Sequence, residues 1–237
     1  MRIGVFDSGL GGVNVLASLI KKYPHHEYIY FGDTKNLPYG DKTKEELMHL
    51  ASETIEFLLT KNVDIIIIAC GTISSNCYSE LKNKYRILLY DVISPTINYL
   101  KTSNYYNIGV IGTKRTIESK IFDIDGKNIL SKETPSLVPI IENNQISDKK
   151  NEIIDELSIF KNSEVLVLGC THYPLIRNII QDDLSIPVID MGEILANSLN
   201  IPDGNNYSCE LYFSSISANL VLNIENILHT SYQIYLK

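Results

Sequence analysis

A chain of 237 residues fits one large α/β domain or two small ones. Its net charge of −7 argues against nucleic acid or a membrane surface as the main partner, yet a cleft with a local positive field still suits an acidic small molecule. Four cysteines are too few for a disulfide scaffold, no apolar leader precedes Asp7, and no run approaches the ~20 residues of a membrane span. A cytoplasmic location follows as an expectation.

In chain order, short apolar runs alternate with longer amphipathic ones, the pattern of βα units around a mainly parallel sheet. Residues 2–6 predict a strand and 13–23 a helix, with Asp7-Ser-Gly-Leu-Gly-Gly12 between them. Glycines in that position leave backbone N–H groups free for an anion. The dinucleotide spacing counted from Gly9 fails at Asn14, and no Gly-Lys-Ser/Thr follows as in a Walker loop. A plain strand-to-helix turn explains the glycines, but packing explains a carboxylate at the strand end poorly.

A strand at 28–31 leads to Pro38-Tyr39-Gly40, which reads locally as a structural turn, or else as a pair of backbone donors for a carboxylate. Thr43-Lys-Glu-Glu46 has the capping-box spacing and opens a helix over 44–61. A strand at 63–69 holds most of the strongest apolar run, 65–70, and leads through Cys70-Gly71-Thr72 into a helix over 74–84. Strands at 86–90 and 107–111 flank a helix at 95–102. Residues 120–146 are the least regular, with turns expected at Asp125-Gly126, Pro135 and Pro139. A helix at 148–161 precedes a strand at 164–169, which ends at Cys170-Thr171-His172. Helices at 174–183 and 192–199 enclose a strand at 187–190. The tail predicts a strand at 210–214, a helix near 216–229 and a strand at 232–236.

Ile3-Gly-Val-Phe-Asp-Ser and Ile108-Gly-Val-Ile-Gly-Thr echo each other, and a cysteine strand follows each at matching distance, from Gly4 to 66 and from Gly109 to 171. The expected fold is therefore two similar α/β lobes, each a mainly parallel sheet flanked by helices, with the site in the cleft between them. Residues 1–95 form the first lobe, completed by 205–237, and 96–204 form the second.

Free cysteines at buried strand ends are usually small hydrophobes, the reading given to Cys77 and Cys209. Cys70 differs because a helix start follows it, a setting that lowers thiol pKa values. Cys170 has Thr171 and His172 beside it, and Pro174 suits a first helical turn. His172 alone would more often be structural; next to a thiol it is a proton partner. No C-x-x-C or H-x-x-x-H spacing supports zinc, so no metal is expected.

Asp7-Ser-Gly-Leu-Gly-Gly, Tyr30-Phe-Gly-Asp-Thr, Pro38-Tyr-Gly, Ala69-Cys-Gly-Thr, Ile108-Gly-Val-Ile-Gly-Thr and Gly169-Cys-Thr-His-Tyr-Pro-Leu together resemble the glutamate racemase family, in register over most of the chain. The resemblance implies a cofactor-independent racemase that supplies D-glutamate for peptidoglycan, with a small-molecule substrate and no nucleic acid or membrane partner; a homodimer is compatible with it. It implies that Cys70 acts on the D-enantiomer and Cys170 on the L-enantiomer, with Asp7, His172 and Glu142 as polar partners. Ser8, Pro38, Tyr39, Gly40, Gly71, Thr72, Thr113, Thr116 and Thr171 match substrate-holding positions, as do Asp7 and His172. His172 also separates the chain from aspartate racemases, which typically carry Glu there; a sister racemase acting on aspartate and a non-catalytic amino-acid-binding protein are the alternatives.

Two departures stand out. The family commonly has Asn where this chain has Gly71, and a lost side-chain bond to a charged substrate weakens binding roughly 10- to 150-fold if nothing replaces it. The stretch from Phe122 to Pro135 is also shorter than the family pattern.

Overall fold

A computed structural model describes all 237 residues. In the first lobe, strand β1 (Arg2–Asp7) leads to helix α1 (Gly12–Lys22), then β2 (Glu27–Gly32), α2 (Lys44–Thr60), β3 (Ile65–Ile68), α3 (Gly71–Lys84) and β4 (Leu88–Asp91), and α4 (Ile93–Thr102) leads across to the second. The second contains β5 (Asn107–Gly112), α5 (Lys114–Glu118), β6 (Asn128–Glu133), α6 (Leu137–Glu142), α7 (Lys150–Leu157), β7 (Val165–Leu168), α8 (Arg177–Asp183), β8 (Val188–Asp190) and α9 (Met191–Ser198). The chain ends in β9 (Ser208–Phe213), α10 (Ala218–Leu228) and β10 (Ile234–Leu236).

One sheet has the order β10-β9-β2-β1-β3-β4 and the other β6-β5-β7-β8, with every pairing parallel. The C-terminal strands thus extend the sheet that the N-terminus begins. No helix is long and apolar enough to cross a membrane.

Side-chain alternation explains how the two sheets pack. Ile3, Val5, Ile65 and Ile67 point into a core that also takes Ile108, Val110, Val165 and Val167 from the other sheet. Their neighbours Phe6, Ile66 and Ile68 fill an outer core under α2 and α3, while Ile111, Leu166 and Leu168 fill another under α7 and α8. The lobes share an apolar interior on one side, and the cleft opens at the carboxyl ends of the strands. Helix α2 starts where expected: Thr43 Oγ1 accepts from Glu46 N–H, and Glu46 Oε2 accepts from Thr43 N–H.

Three elements depart from the sequence reading. β6 is an edge strand with most of its residues exposed, so no period-2 pattern announces it. α5 spans five residues, too short for helical periodicity. α6 contains Pro139, expected in a turn but standing in the first helical turn, where its missing N–H would have no intrahelical partner. Asp125-Gly126 is a turn as expected, with Gly126 at φ +78. The matching spacing of the internal echo does not hold in the registers, because Gly4 lies beside Ile66 whereas Gly109 lies beside Leu166.

Candidate active site

β1 and β3 end side by side in the first sheet, as β5 and β7 do in the second. The four ends face a cavity of about 390 Å³ between the lobes. Ser8, Pro38, Tyr39, Gly40, Cys70, Gly71 and Thr72 line it from the first lobe. Thr113, Glu142, Cys170, Thr171 and His172 line it from the second.

Two residues expected to meet substrate stand behind the wall. Asp7 is buried, and its Oδ2 accepts from the N–H groups of Gly9 (3.1 Å) and Gly12 (2.9 Å). Thr171 Oγ1 reaches Asp7 Oδ1 at 3.4 Å from across the cleft. Thr116 is buried too, its hydroxyl 3.0 Å from that of Thr113, which in turn lies 2.9 Å from the Thr72 hydroxyl. These hydroxyls join the lobes beside Cys70.

The two thiols have different surroundings. Cys70 is the N-cap residue of α3, and its S–H donates to Ser8 Oγ at 3.8 Å. Burial pushes this thiol up from its ordinary 9.0 to about 12, and the Asp7 carboxylate adds to the rise. The Ile73 N–H and the Ser8 hydroxyl act in the other direction and do not prevail. The expectation that a helix N-terminus would favour a Cys70 thiolate is therefore corrected: full burial outweighs the helix end.

No α-helix starts at Cys170. A 3₁₀ turn (Tyr173–Ile176) comes first and α8 only after it. His172 supplies the positive end instead. Its Nδ1 lies 3.7 Å from Cys170 Sγ, and its Nε2 lies 2.9 Å from Glu142 Oε1. Burial pulls the imidazole pKa down, but the bonds to Cys170 and Glu142 more than offset this and raise it to about 10. Protonated His172 donates from both nitrogens, an arrangement suited to a thiolate at Cys170; neutral His172 accepts the thiol proton at Nδ1. Asp7 is raised by burial, against the lowering influence of His172 and three backbone N–H groups.

Sequence reasoning missed several supports. Asp33 accepts from the Tyr39 hydroxyl (2.7 Å), the Ser214 hydroxyl (2.7 Å) and the Asn36 amide, which fixes the Pro38-Tyr39-Gly40 turn. Its only sequence signal was its place in Tyr30-Phe-Gly-Asp-Thr. The buried Tyr173 hydroxyl bonds Thr134 beneath Cys170, and both residues reach the wall. Lys114 is the one lysine or arginine of the lining.

Gly71 has a steric role. A Cβ there would lie 2.7 Å from Gly169 O, across the cleft, closer than real Cβ contacts come. Gly71→Asn would thus add an amide only by parting the lobes. Overpacking of this kind costs about 1–3 kcal/mol, a factor of roughly 5 to 150 in an equilibrium. Steady-state kinetics of Gly71→Asn and Gly71→Ala are expected to show a lower kcat/KM for both.

Paired thiols at opposed strand ends, one backed by an imidazole and a carboxylate, define the class: a racemase-type isomerase on a two-lobed α/β scaffold. Residues 7–199 match the family described as Asp/Glu/Hydantoin racemase. The chain is 38% identical to a glutamate racemase from Aquifex aeolicus, over 96% of this chain and 94% of that one. The structure resembles glutamate racemase from Bacillus anthracis with a TM-score of 0.92 at 26% identity, covering 100% of this chain and 97% of that one. A glutamate racemase from Francisella tularensis, solved with D-glutamate, has a TM-score of 0.87 at 30% identity and covers 99% and 95%. The chain belongs to the Asp/Glu/hydantoin racemase family, within its glutamate racemase group.

Proposed function

We propose that this protein interconverts L- and D-glutamate by a two-base proton transfer without a cofactor, the D-glutamate supplying cell-wall peptidoglycan. The observation that carries this reading is that both thiols line one cavity between the lobes, each with its own hydrogen-bond partner. Cys170 as thiolate takes the α-proton of L-glutamate. The C–H electron pair remains as a carbanion, and Cys70 S–H delivers a proton to the opposite face. D-glutamate leaves with Cys70 as thiolate and Cys170 as thiol, and proton exchange restores the first state.

The α-proton is far less acidic than a thiol, so the carbanion must be stabilised by donors in a water-poor site. Thr72, Thr171 and the turn at Tyr39-Gly40 line the cavity and are the donors this reading assigns, with Lys114 as the cation for an acidic substrate. The raised pKa of Cys70 keeps it as the acid while His172 holds its proton beside Cys170.

The test is loss of circular dichroism from L-glutamate, D-glutamate and both aspartates. Decay of both glutamate signals toward zero is expected. A silent glutamate assay overturns the reading, and decay of aspartate alone transfers it to a sister activity.

A further inference from the structure

Asn14 broke the dinucleotide spacing and received no other assignment from sequence. It stands in the first turn of α1, half-buried, with its side-chain amide between the lobes. Nδ2 donates to Gly11 O at 3.1 Å in its own lobe and to Thr171 O at 2.9 Å across the cleft. Both partners are carbonyl oxygens, which only accept, so the amide nitrogen is the atom facing them.

The bond to Thr171 ties down the peptide between Cys170 and His172. It is shorter than the other side-chain bond from this turn to the first lobe, Thr171 Oγ1 to Asp7 at 3.4–3.5 Å. Gly11 packs on the same turn, and a Cβ there would lie 2.3 Å from Thr171 Oγ1. The Cys70 side is tied across the cleft by a different bond, Thr72 to Thr113 at 2.9 Å, which Asn14 does not touch.

We propose that Asn14 is a positioning residue for the Cys170 half-reaction: across the cleft it holds the turn carrying Cys170 and His172 at the distance proton transfer needs. This rests on the two-thiol racemisation proposed above. Misplacing a reacting group slows chemistry more than binding, so the loss should appear in kcat more than in KM.

The experiment compares Asn14→Asp, nearly isosteric but with a carboxylate facing two carbonyls, with Asn14→Gln, which keeps the donors on a longer arm. A fall in kcat/KM of about tenfold or more is expected for Asn14→Asp, with partial recovery in Asn14→Gln. Each direction crosses both proton transfers, so the loss is equal from L- and D-glutamate. The asymmetry appears with α-deuterated substrates. Slowing the Cys170 step raises the deuterium effect on kcat/KM for L-glutamate and lowers it for D-glutamate. Unchanged kinetics in Asn14→Asp, or isotope effects that move together, overturn the assignment while leaving the racemase reading intact. A wild-type protein that leaves glutamate unchanged overturns both.

Discussion

Cys70→Ala and Cys170→Ala are each expected to abolish racemisation in both directions while leaving one half-reaction alive. Either direction needs one thiol to remove the α-proton and the other to return it on the opposite face. Cys70→Ala keeps the Cys170–His172–Glu142 chain, whose 3.7 and 2.9 Å contacts do not involve Cys70. It should still remove the α-proton of L-glutamate and put back a solvent deuteron, exchanging the hydrogen without inversion. Cys170→Ala should do the same to D-glutamate. In D₂O, NMR gives the exchange and circular dichroism the inversion. Near-normal turnover in either variant, or exchange on the opposite enantiomer, sinks the scheme. Both side chains are small, so the fold is expected to survive; at ~0.8 kcal/mol per buried carbon-sized group, the cost is modest.

His172→Gln is expected to lower kcat/KM by on the order of 10²–10⁴-fold, the usual worth of a positioned proton carrier, and to change the pH profile as well. The folded imidazole pKa is raised to about 10 from an ordinary 6.5. The folded state thus binds a proton that the unfolded chain gives up between those values. Its stabilising contribution is complete below about pH 6.5 and fades as pH rises through about 10. In wild type, the alkaline limb of kcat/KM should include loss of the Nδ1–H that faces Cys170. Melting temperature against pH checks the linkage separately: wild type should lose stability relative to His172→Gln between pH 7 and 10. Identical slopes in the two proteins would show that His172 is neutral in the fold.

The strand cores were readable because each has a face toward the shared interior and a face toward an outer helix layer. Four consecutive isoleucines, 65–68, serve both and leave no room for another assignment. The cysteine turns were readable because a polar break followed each buried run. Asp33 was not, since its partner Ser214 is 181 residues away and only the β2–β9 pairing brings them together. β6 could not be seen because solvent, not a core, surrounds most of its side chains. The setting of Cys70 was misjudged for a related reason: local sequence reports a helix N-terminus but not the enclosure that dominates the thiol. Asn14 appeared only as a mismatch to another motif, because its acceptor at Thr171 lies 157 positions away.

The meeting of Gly71 with Gly169 bears on how this enzyme can change over evolution. Where the halves come together next to the two thiols, a side chain added on the first lobe would strike a peptide carbonyl of the second. The gap between these two strand ends has no adjustable spacer at this point. Adding a side chain here would reopen it. Selection for a longer or shorter substrate is thereby directed away from the jaws and toward the rest of the wall, where Val138, Pro139 and Asn143 line the cavity. The irregular segment that was hardest to read is, on this view, the one left free to vary.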